Sequence, residues 1–417
     1  MITLSRDLPD RIISSSDVRW RHLVVKNENF AIALALSAMV FLPLMEMLFR
    51  ATLHKGIAGA TLLTQHLTLI VGMLGAMAAA REHRLFAVST LSQVLSGRVS
   101  KFAQLASSFF AAIISAFLCG ASFQFVLAEK QGGVILAYGI PVWAVQFILP
   151  FGFAVITLRL LERMRHSGIG WRGIVLLCAA TTALALLVPF SPQNMIVPAM
   201  CGLIAATLLG APVFAAIGGA ALILFWGNSL PIASIPLDHY RLVVNPSLPA
   251  IPLFTLAGYL LAEGGASRRL VRVLTSLTGH LRGGPAIVTA LLCAFFTSMT
   301  GASGVTILAL GGLLMPILLT ARYPEKSALG LLTASGSLGL LFAPCLPLLL
   351  YAVIAHIPIR DMFLGGLLPG VLLTVATAWW GFCQERPDAV LKKFSYIEVR
   401  CASNDAKCEL MLPAVAC

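Results

Sequence analysis

The sequence predicts an all-α polytopic membrane protein, and three features of the chain support that prediction. Hydrophobic residues make up 59% of the 417 positions and charged residues only 11%, which is more apolar surface than a soluble core can hide. The apolar residues form runs close to the length of a membrane-crossing helix. A longer uncharged run, at residues 285–319, is interrupted at its centre by small polar residues. We therefore expect membrane-spanning helices and one re-entrant helical hairpin.

Four early apolar runs predict a four-helix membrane module at residues 31–165. Its predicted spans are residues 31–49, 62–80, 105–127 and 139–158. Arginine and lysine crowd the loops after the second and fourth spans, whereas the loop after the third holds one acid and one base, Glu129 and Lys130. Because positive loops stay on the cytoplasmic side, this pattern predicts a cytoplasmic N-terminal segment at residues 1–30. We expect that segment to be retained, since it does not show the pattern of a signal peptide.

Three further segments follow the four-helix module. A run at residues 174–189 predicts a tether helix within the segment 166–194, which ends in a charge-free periplasmic turn. Residues 195–383 form the predicted transport module, and residues 384–417 a cytoplasmic connector. The spans predicted in the transport module are residues 195–209, 212–226, 249–261 and 364–383, with the hairpin and a broken helix before the last. Residues 268–277 are basic on one side and apolar on the other, which predicts a helix at the membrane interface.

The hairpin prediction depends on length. A helix rises about 1.5 Å per residue, so residues 286–299 reach about 21 Å, which is short of a bilayer core of about 30 Å. Two half-helices that meet at a small tip fit this length better than one crossing. The predicted tip consists of Thr300, Gly301, Ala302, Ser303 and Gly304. Backbone polar groups at that depth require surrounding protein or a water-filled cavity.

A second apolar run, at residues 328–355, is interrupted near its middle. The interruption contains Gly336, Ser337 and Gly339, followed by Pro344 and Pro347. Proline removes an amide donor and glycine permits unwound backbone, so we expect a broken helix. Two interrupted helices at comparable depth are typical of the binding sites of secondary transporters. Glycine and serine also permit close packing of membrane helices, and packing stays the alternative interpretation for either cluster.

The order of motifs resembles the tripartite ATP-independent periplasmic (TRAP) transporters, with a small-subunit-like first module fused to a large-subunit-like second module. The motifs of the first module are Leu48-Phe-Arg50 and Arg81-Glu-His-Arg84; those of the second are Gly210-Ala-Pro-Val213, Ile251-Pro-Leu-Phe254, Ala257-Gly-Tyr259, Gly279-His-Leu-Arg-Gly-Gly284, the hairpin tip, Tyr351 and Leu364-Gly-Gly-Leu-Leu-Pro-Gly370. Joining the two subunits requires an extra helix such as the tether. Large subunits of this family contain two inverted repeats, so the resemblance implies a large subunit truncated after its first repeat, with the second repeat missing.

The resemblance also implies a sodium ion between the hairpin tip and the broken helix. Carried over by motif, the cation ligands are Thr300, Ala302, Gly339, Phe342 and Pro344, and the substrate cavity is lined by Gly301, Ser303, Gly304 and Ser337. Only Thr300 among the cation ligands offers a side-chain oxygen. Two positions depart from the commoner family pattern: Ala302 replaces a polar residue, and Ala343-Pro344-Cys345 replaces Pro-Pro-Ser. Apart from sodium as coupling ion, we expect no cofactor and no other metal.

The function implied by the resemblance is that of a permease component in a bacterial inner membrane. It would be a sodium symporter that takes up a small organic anion of the carboxylate class, delivered by a periplasmic substrate-binding protein; membrane lipid is the other expected partner. The alternative is a transport-incompetent remnant or scaffold fragment of such a permease.

Two other classes of function are disfavoured by the sequence. It contains no HExxH, no GxSxG and no phosphate-binding GxxxxGK motif in a strand context, so we predict no enzyme. The net charge of +12 comes from basic residues in short loops between apolar runs, where membrane topology explains them without nucleic acid.

Two ionisable residues lie inside predicted spans of the first module, Glu46 and His66. Such residues are costly in lipid and usually have a partner or a function. Contact between the two modules and a proton path are the two interpretations. The scaffold role of the small subunit in the family favours contact.

Overall fold

The computed structural model describes residues 15–87, 98–164, 192–301, 303–384 and 396–407. Helices dominate these ranges, which confirms the predicted fold class. The predicted tether helix at residues 174–189 lies outside the described residues. The chain divides into two compact units, Met1–Val244 and Asn245–Cys417.

Eight helices lie in the described part of the first unit. They are α1 (Ser15–Leu53), α2 (Ala60–Arg81), α3 (Arg98–Gly132), α4 (Val142–Gln146), α5 (Ile148–Met164), α6 (Pro192–Leu208), α7 (Val213–Gly227) and α8 (Ser234–Val243). The first five correspond to the predicted four-helix module, with the fourth span divided at Phe147 into α4 and α5. Helix α6 begins at Pro192, three residues before the predicted start of its span.

The core of the first unit is built on small residues that let helices approach closely. Ala111, Ala112 and Ala215 are buried in one cluster with Ile156 and Leu160. Membrane helices usually associate through small side chains. Lipid is as apolar as the side chains themselves, so there is no hydrophobic driving force and close packing must supply the attraction. Helix α3 is therefore the central element, with α5, α6, α7 and α8 packed around it.

Helix α8 was not predicted from the sequence. It packs against α2 and α3, with Leu237 and Tyr240 lying on a buried cluster that includes Leu69 and Phe125. The Tyr240 hydroxyl is 2.8 Å from His66 Nε2, which gives His66 the contact between modules that the sequence favoured. Glu46 accepts a hydrogen bond from Arg50, 2.7 Å away on its own helix.

The described part of the second unit contains eight α-helices and one 3₁₀ turn. They are α9 (Ala250–Glu263), α10 (Ala266–Thr278), α11 (Gly284–Thr300), α12 (Ser303–Thr320), α13 (Glu325–Ser335), the 3₁₀ turn (Leu338–Leu341), α14 (Leu346–Ala355), α15 (Ile359–Gln384) and α16 (Tyr396–Asp405).

Helices α11 and α12 form an antiparallel hairpin. Thr297 bonds to Thr306 near the tip, and Ala286 clusters with Leu318 at the base. The apolar run at residues 285–319 is therefore two helices that turn back on each other. The second interrupted run is also broken as predicted, since α13 and α14 are separated by the 3₁₀ turn and the extended backbone that follows it.

The apolar face of α10 is partly covered by protein. Leu270 and Val273 are buried, the first against the hairpin and the second against Ala402 and Ala406 at the end of α16. Arg272 and Asp405 add an exposed ion pair between the two helices, with 3.5 Å between Nη1 and Oδ2. Packing on the hairpin and α16 accounts for part of the amphipathic pattern, and the position of α10 at the membrane interface stays a prediction.

Six segments within the described ranges are long and apolar enough to cross a membrane. They are Leu23–Leu53, Ala60–Arg81, Ala103–Gly132, Val142–Met164, Glu325–Ala355 and Ile359–Gln384. Shorter apolar helices include Gly284–Thr300 and Thr306–Thr320, the two arms of the hairpin. The protein is therefore a multi-pass membrane protein.

One carboxylate links three helices of the first unit. Glu28 on α1 is 8% exposed and accepts hydrogen bonds from Arg159 on α5 at both oxygens, each 2.8 Å long. Arg81 on α2 donates a further bond of 2.8 Å to the same carboxylate. The fork of Arg159 matches a carboxylate geometrically, and little water competes with it at this site.

We predict that Glu28→Gln destabilises the protein by about 2 kcal/mol, because the largely buried Arg159 guanidinium loses its counter-charge and Arg81 is left with the more exposed Glu82. Thermal unfolding of the purified protein in detergent measures the effect. The matched control is Glu46→Gln, which removes a pair whose Arg50 side chain is 72% exposed and should cost less than about 0.5 kcal/mol. Equal effects of the two substitutions would contradict this assignment.

Candidate functional site

The hairpin tip is formed by a left-handed glycine. Helix α11 ends at Thr300, and Gly301 has a φ of 67°, a conformation in which side chains other than hydrogen are strained. The Gly301 amide donates to the Thr297 carbonyl at 2.8 Å and so closes the helix end. Helix α12 begins at Ser303. Ala302, a predicted cation ligand, lies outside the described residues.

Three threonine hydroxyls gather just below the tip. Thr297, Thr300 and Thr306 are all buried, and the Thr306 oxygen is 3.0 Å from each of the other two. The Thr297 hydroxyl also donates to the carbonyl of Gly336, 2.9 Å away at the end of α13. Side chains of the hairpin are therefore hydrogen-bonded to the backbone of the broken helix.

The unwound backbone of the break lies against both α11 and α15. A methyl group on Gly339 would collide with the Ala294 carbonyl and lie 2.5 Å from the Ser298 nitrogen, so only glycine permits this approach to α11. On the other side, a methyl group on Gly366 of α15 would lie 2.6 Å from the Leu341 carbonyl oxygen. Glycines on two elements thus allow the 3₁₀ turn to fit between these helices.

The backbone after the 3₁₀ turn is extended and self-bonded. Phe342 has a φ of −99° and a ψ of 145°, and its amide donates to the Gly339 carbonyl at 3.2 Å. The Cys345 amide donates to the Phe342 carbonyl at 3.0 Å. The Ala343–Pro344 peptide bond is cis. Each of these carbonyls retains a second lone pair that can face a ligand.

The predicted cation residues within the described ranges lie at the hairpin tip and at the break, two segments that are in contact. Thr300 and Gly301 are at the tip, where Gly301 lies against Leu346 at the start of α14. Gly339 lies against the last turn of α11, and Pro344 is buried in the break. Phe342 is half-buried and packs with Ala290, Ala294 and Leu338.

The predicted cavity residues are more open than the cation residues. Gly301 and Ser303 are half-buried, whereas Gly304 and Ser337 are exposed. The Ser337 hydroxyl donates to the Ala334 carbonyl at 3.3 Å within its own segment. Among the predicted cavity residues, Gly304 beside the tip and Ser337 beside the break are therefore the most exposed.

Two threonines that join the tip to the break, Thr297 and Thr306, were missed from the sequence. The available signal was their spacing, because Thr297 precedes Thr300 by one helical turn and Thr306 is the first hydroxyl-bearing residue after Ser303. Ser335 was missed as well. It is fully buried at the end of α13, and its hydroxyl has no hydrogen-bond partner in the part of the chain that the structure describes.

The site offers hydroxyl and carbonyl oxygens without a formal charge, since residues 285–319 and 328–355 contain no charged side chain. A helical hairpin whose tip meets unwound backbone of a neighbouring helix, in a multi-pass membrane protein, is typical of secondary transporters. The fold and the site define that class.

Comparison with known families gives the same class. Residues 200–413, half of the chain, match the family model described as the DctM component of tripartite ATP-independent periplasmic transporters. Residues 39–167 match the model described as the DctQ component of the same transporters. The chain belongs to the TRAP transporter family and carries a DctQ-type segment and a DctM-type segment in one polypeptide.

Individual relatives are permeases rather than enzymes, as the sequence predicted. The chain is 29% identical over 230 residues to the C4-dicarboxylate TRAP transporter large permease protein DctM of Rhodobacter capsulatus, a match that covers 51% of this chain and 52% of the relative. It is 29% identical over 311 residues to the isethionate TRAP transporter permease protein DctMQ of Oleidesulfovibrio alaskensis, covering 70% of this chain and 46% of the relative. The chain thus spans about half the length of these relatives.

A third relative has a different named substrate. The 2,3-diketo-L-gulonate TRAP transporter large permease protein YiaN of Escherichia coli is 31% identical over 164 residues, covering 39% of this chain and 38% of the relative.

We predict that Gly339→Ala destabilises the protein by about 1–3 kcal/mol, because the added methyl group meets backbone atoms of α11 that cannot move aside independently. Gly312→Ala is the matched control. Gly312 lies within α12 with open space around its α-carbon, so alanine there should stabilise the helix by about 0.5–1 kcal/mol. Opposite signs in thermal unfolding are expected, and a neutral Gly339→Ala would show that the break is loosely packed.

Proposed function

We propose that this chain is the membrane permease part of a sodium-coupled secondary transporter that imports a small organic anion of the carboxylate class. The observation that carries the proposal is the junction between the hairpin tip and the unwound backbone of the broken helix. The substrates named for three relatives support a small organic anion: C4-dicarboxylate and 2,3-diketo-L-gulonate are carboxylates, and isethionate is a sulfonate.

Sodium would bind at this junction as a transported ion. Its proposed ligands are the Thr300 hydroxyl and backbone oxygens of Ala302, Gly339, Phe342 and Pro344. Such a set of neutral oxygens suits a monovalent cation, and the unwound backbone supplies carbonyls that a continuous helix would use internally. Thr297 and Thr306 would position the Thr300 hydroxyl through the hydrogen bonds that connect the three threonines.

The anion would bind beside the sodium ion. Helices α12 and α14 begin at Ser303 and Leu346, next to the tip and the break, and the amino ends of helices carry a partial positive charge that favours anions. Gly301, Ser303, Gly304 and Ser337 would line this cavity. The exposure of Gly304 and Ser337 is consistent with access for a ligand.

The proposed mechanism is alternating access. The hairpin and the broken helix would move together relative to the rest of the protein, with the inward sodium gradient driving the cycle. We further propose a bacterial inner-membrane location with a cytoplasmic N-terminus, and a periplasmic substrate-binding protein that delivers the anion to the outward face. The alternative function is that of a transport-incompetent remnant or scaffold part of such a permease.

We predict that sodium stabilises the purified full chain against thermal unfolding, relative to potassium at equal ionic strength. At a sodium concentration ten times the dissociation constant, binding to the folded state contributes about 1.4 kcal/mol. Thr300→Val should remove this sodium-specific shift by deleting the one side-chain ligand. Thr333→Val is the control, because the Thr333 hydroxyl is exposed and bonds only along its own helix. A sodium shift that survives Thr300→Val would exclude Thr300 as a ligand.

An uptake assay distinguishes a working permease from the transport-incompetent remnant. We predict that proteoliposomes containing the full chain and its periplasmic binding protein accumulate a labelled C4-dicarboxylate or isethionate when an inward sodium gradient is imposed, and not without the gradient. Sodium stabilisation in the absence of any uptake would favour the transport-incompetent alternative.

A further inference from the structure

The tautomer of His66 follows from its two partners. His66 is 4% exposed, and its Nδ1 lies 2.7 Å from the Leu62 carbonyl oxygen, which can only accept. Nδ1 therefore carries the proton, and Nε2 accepts a hydrogen bond from the Tyr240 hydroxyl at 2.8 Å. The Tyr240 oxygen keeps its lone pairs for a further donor.

A ladder of short polar side chains runs along the contact between α3 and α5. Ser115 donates to the Phe153 carbonyl at 3.0 Å, and Cys119, one turn later, donates to the Pro150 carbonyl at 3.3 Å. Because the two helices are antiparallel, the next step of this register brings Ser122 opposite Gln146. Helix α4, which ends at Gln146, indeed packs against α3.

Ser122 and Gln146 are both fully buried, yet no direct hydrogen bond joins their side chains. The Ser122 hydroxyl and both amide atoms of Gln146 make no hydrogen bond to any described residue. The Gln146 side chain lies near the Tyr240 hydroxyl. Phe125, one turn beyond Ser122 on α3, lies against the Tyr240 ring with 5.8 Å between centroids. Because Ser122 and Phe125 are one turn apart on α3, the unpaired groups lie on the side of α3 and α4 that faces Tyr240.

These residues come from both components of the family. His66, Ser122 and Gln146 lie within residues 39–167, which match the DctQ component. Tyr240 lies within residues 200–413, which match the DctM component. The set of His66, Ser122, Gln146 and Tyr240, called here the polar seam, therefore lies where the two components meet in the first unit.

We propose that the polar seam is a recognition site between the DctQ-type and DctM-type parts of the chain, completed by one water molecule bound among Ser122, Gln146 and Tyr240. Water fits the chemistry, because Ser122 and the Gln146 amide each offer donor and acceptor atoms and three polar neighbours are enough to hold an internal water. A buried polar group without a partner is destabilising, so the seam favours the one pairing of the two parts that satisfies all four side chains. The proposal does not depend on what the protein transports.

The direction in which Gln146→Met shifts the unfolding temperature tests whether the water is bound. With a bound water, Gln146→Met and Ser122→Ala each lower the unfolding temperature of the purified full chain, and the double variant loses less than the sum of the two, since both remove the same network. Gln124→Met, at an exposed position of α3, is the control and should have little effect. If Gln146→Met raises the unfolding temperature instead, its amide is unpaired and the water is absent. A high-resolution map without density between the three side chains would also overturn the proposal.

Recognition is tested by cutting the folded protein. A protease site placed at residues 166–173, in the loop predicted to precede the tether helix, is designed to cleave the purified full chain, and the dissociation of the two fragments in detergent is then followed by size-exclusion chromatography. Loss of one hydrogen bond in Tyr240→Phe should speed dissociation about fivefold relative to the cleaved wild type. Tyr138→Phe, which changes a tyrosine that is 70% exposed, should leave the rate unchanged. Equal rates for Tyr240→Phe and wild type would refute a recognition role.

Discussion

Unwound backbone inside a membrane protein must be covered by protein or reached by water, because lipid offers no hydrogen bonds. The segment between Ser335 and Leu346 meets this requirement with its own local bonds, with the Thr297 hydroxyl on the Gly336 carbonyl, and with helices on two sides. Gly339 is the residue on which this arrangement depends, since any side chain there would push the break away from α11. The hairpin and the break therefore pack together as one substructure. The threonine hydroxyls and backbone carbonyls between them are held in position.

The first unit follows a different principle. Its helices associate through small residues and through a few polar side chains that bond across helices, as Glu28 does for α1, α2 and α5. Helix α8 belongs by sequence to the DctM-type part, yet it packs with α2 and α3 of the DctQ-type part. The two family components are therefore interleaved within a single compact unit, so their boundary in the sequence is not the boundary of the fold.

Much of this architecture could be predicted from the sequence, because membrane helices follow from length and composition. The hairpin followed from the shortness of residues 286–299 and a tip at Gly301, and the broken helix from Gly336, Gly339 and Pro344. The threonine cluster could not be predicted in the same way, since the meeting of Thr297 with Thr306 and with Gly336 depends on the register of two arms and a third element. Helix α8 escaped prediction because its ten residues are too few to cross a membrane and its partner Phe125 is remote in sequence.

Helix α10 connects the hairpin to α16. One side of it contributes Leu270 to the core of the hairpin, and the same helix contributes Val273 to the contact with Ala402 and Ala406. A shift of the hairpin that preserves both contacts would therefore also displace α16. Cys401 is exposed on α16 and could bear a spectroscopic label that reports such a shift without modification of the hairpin.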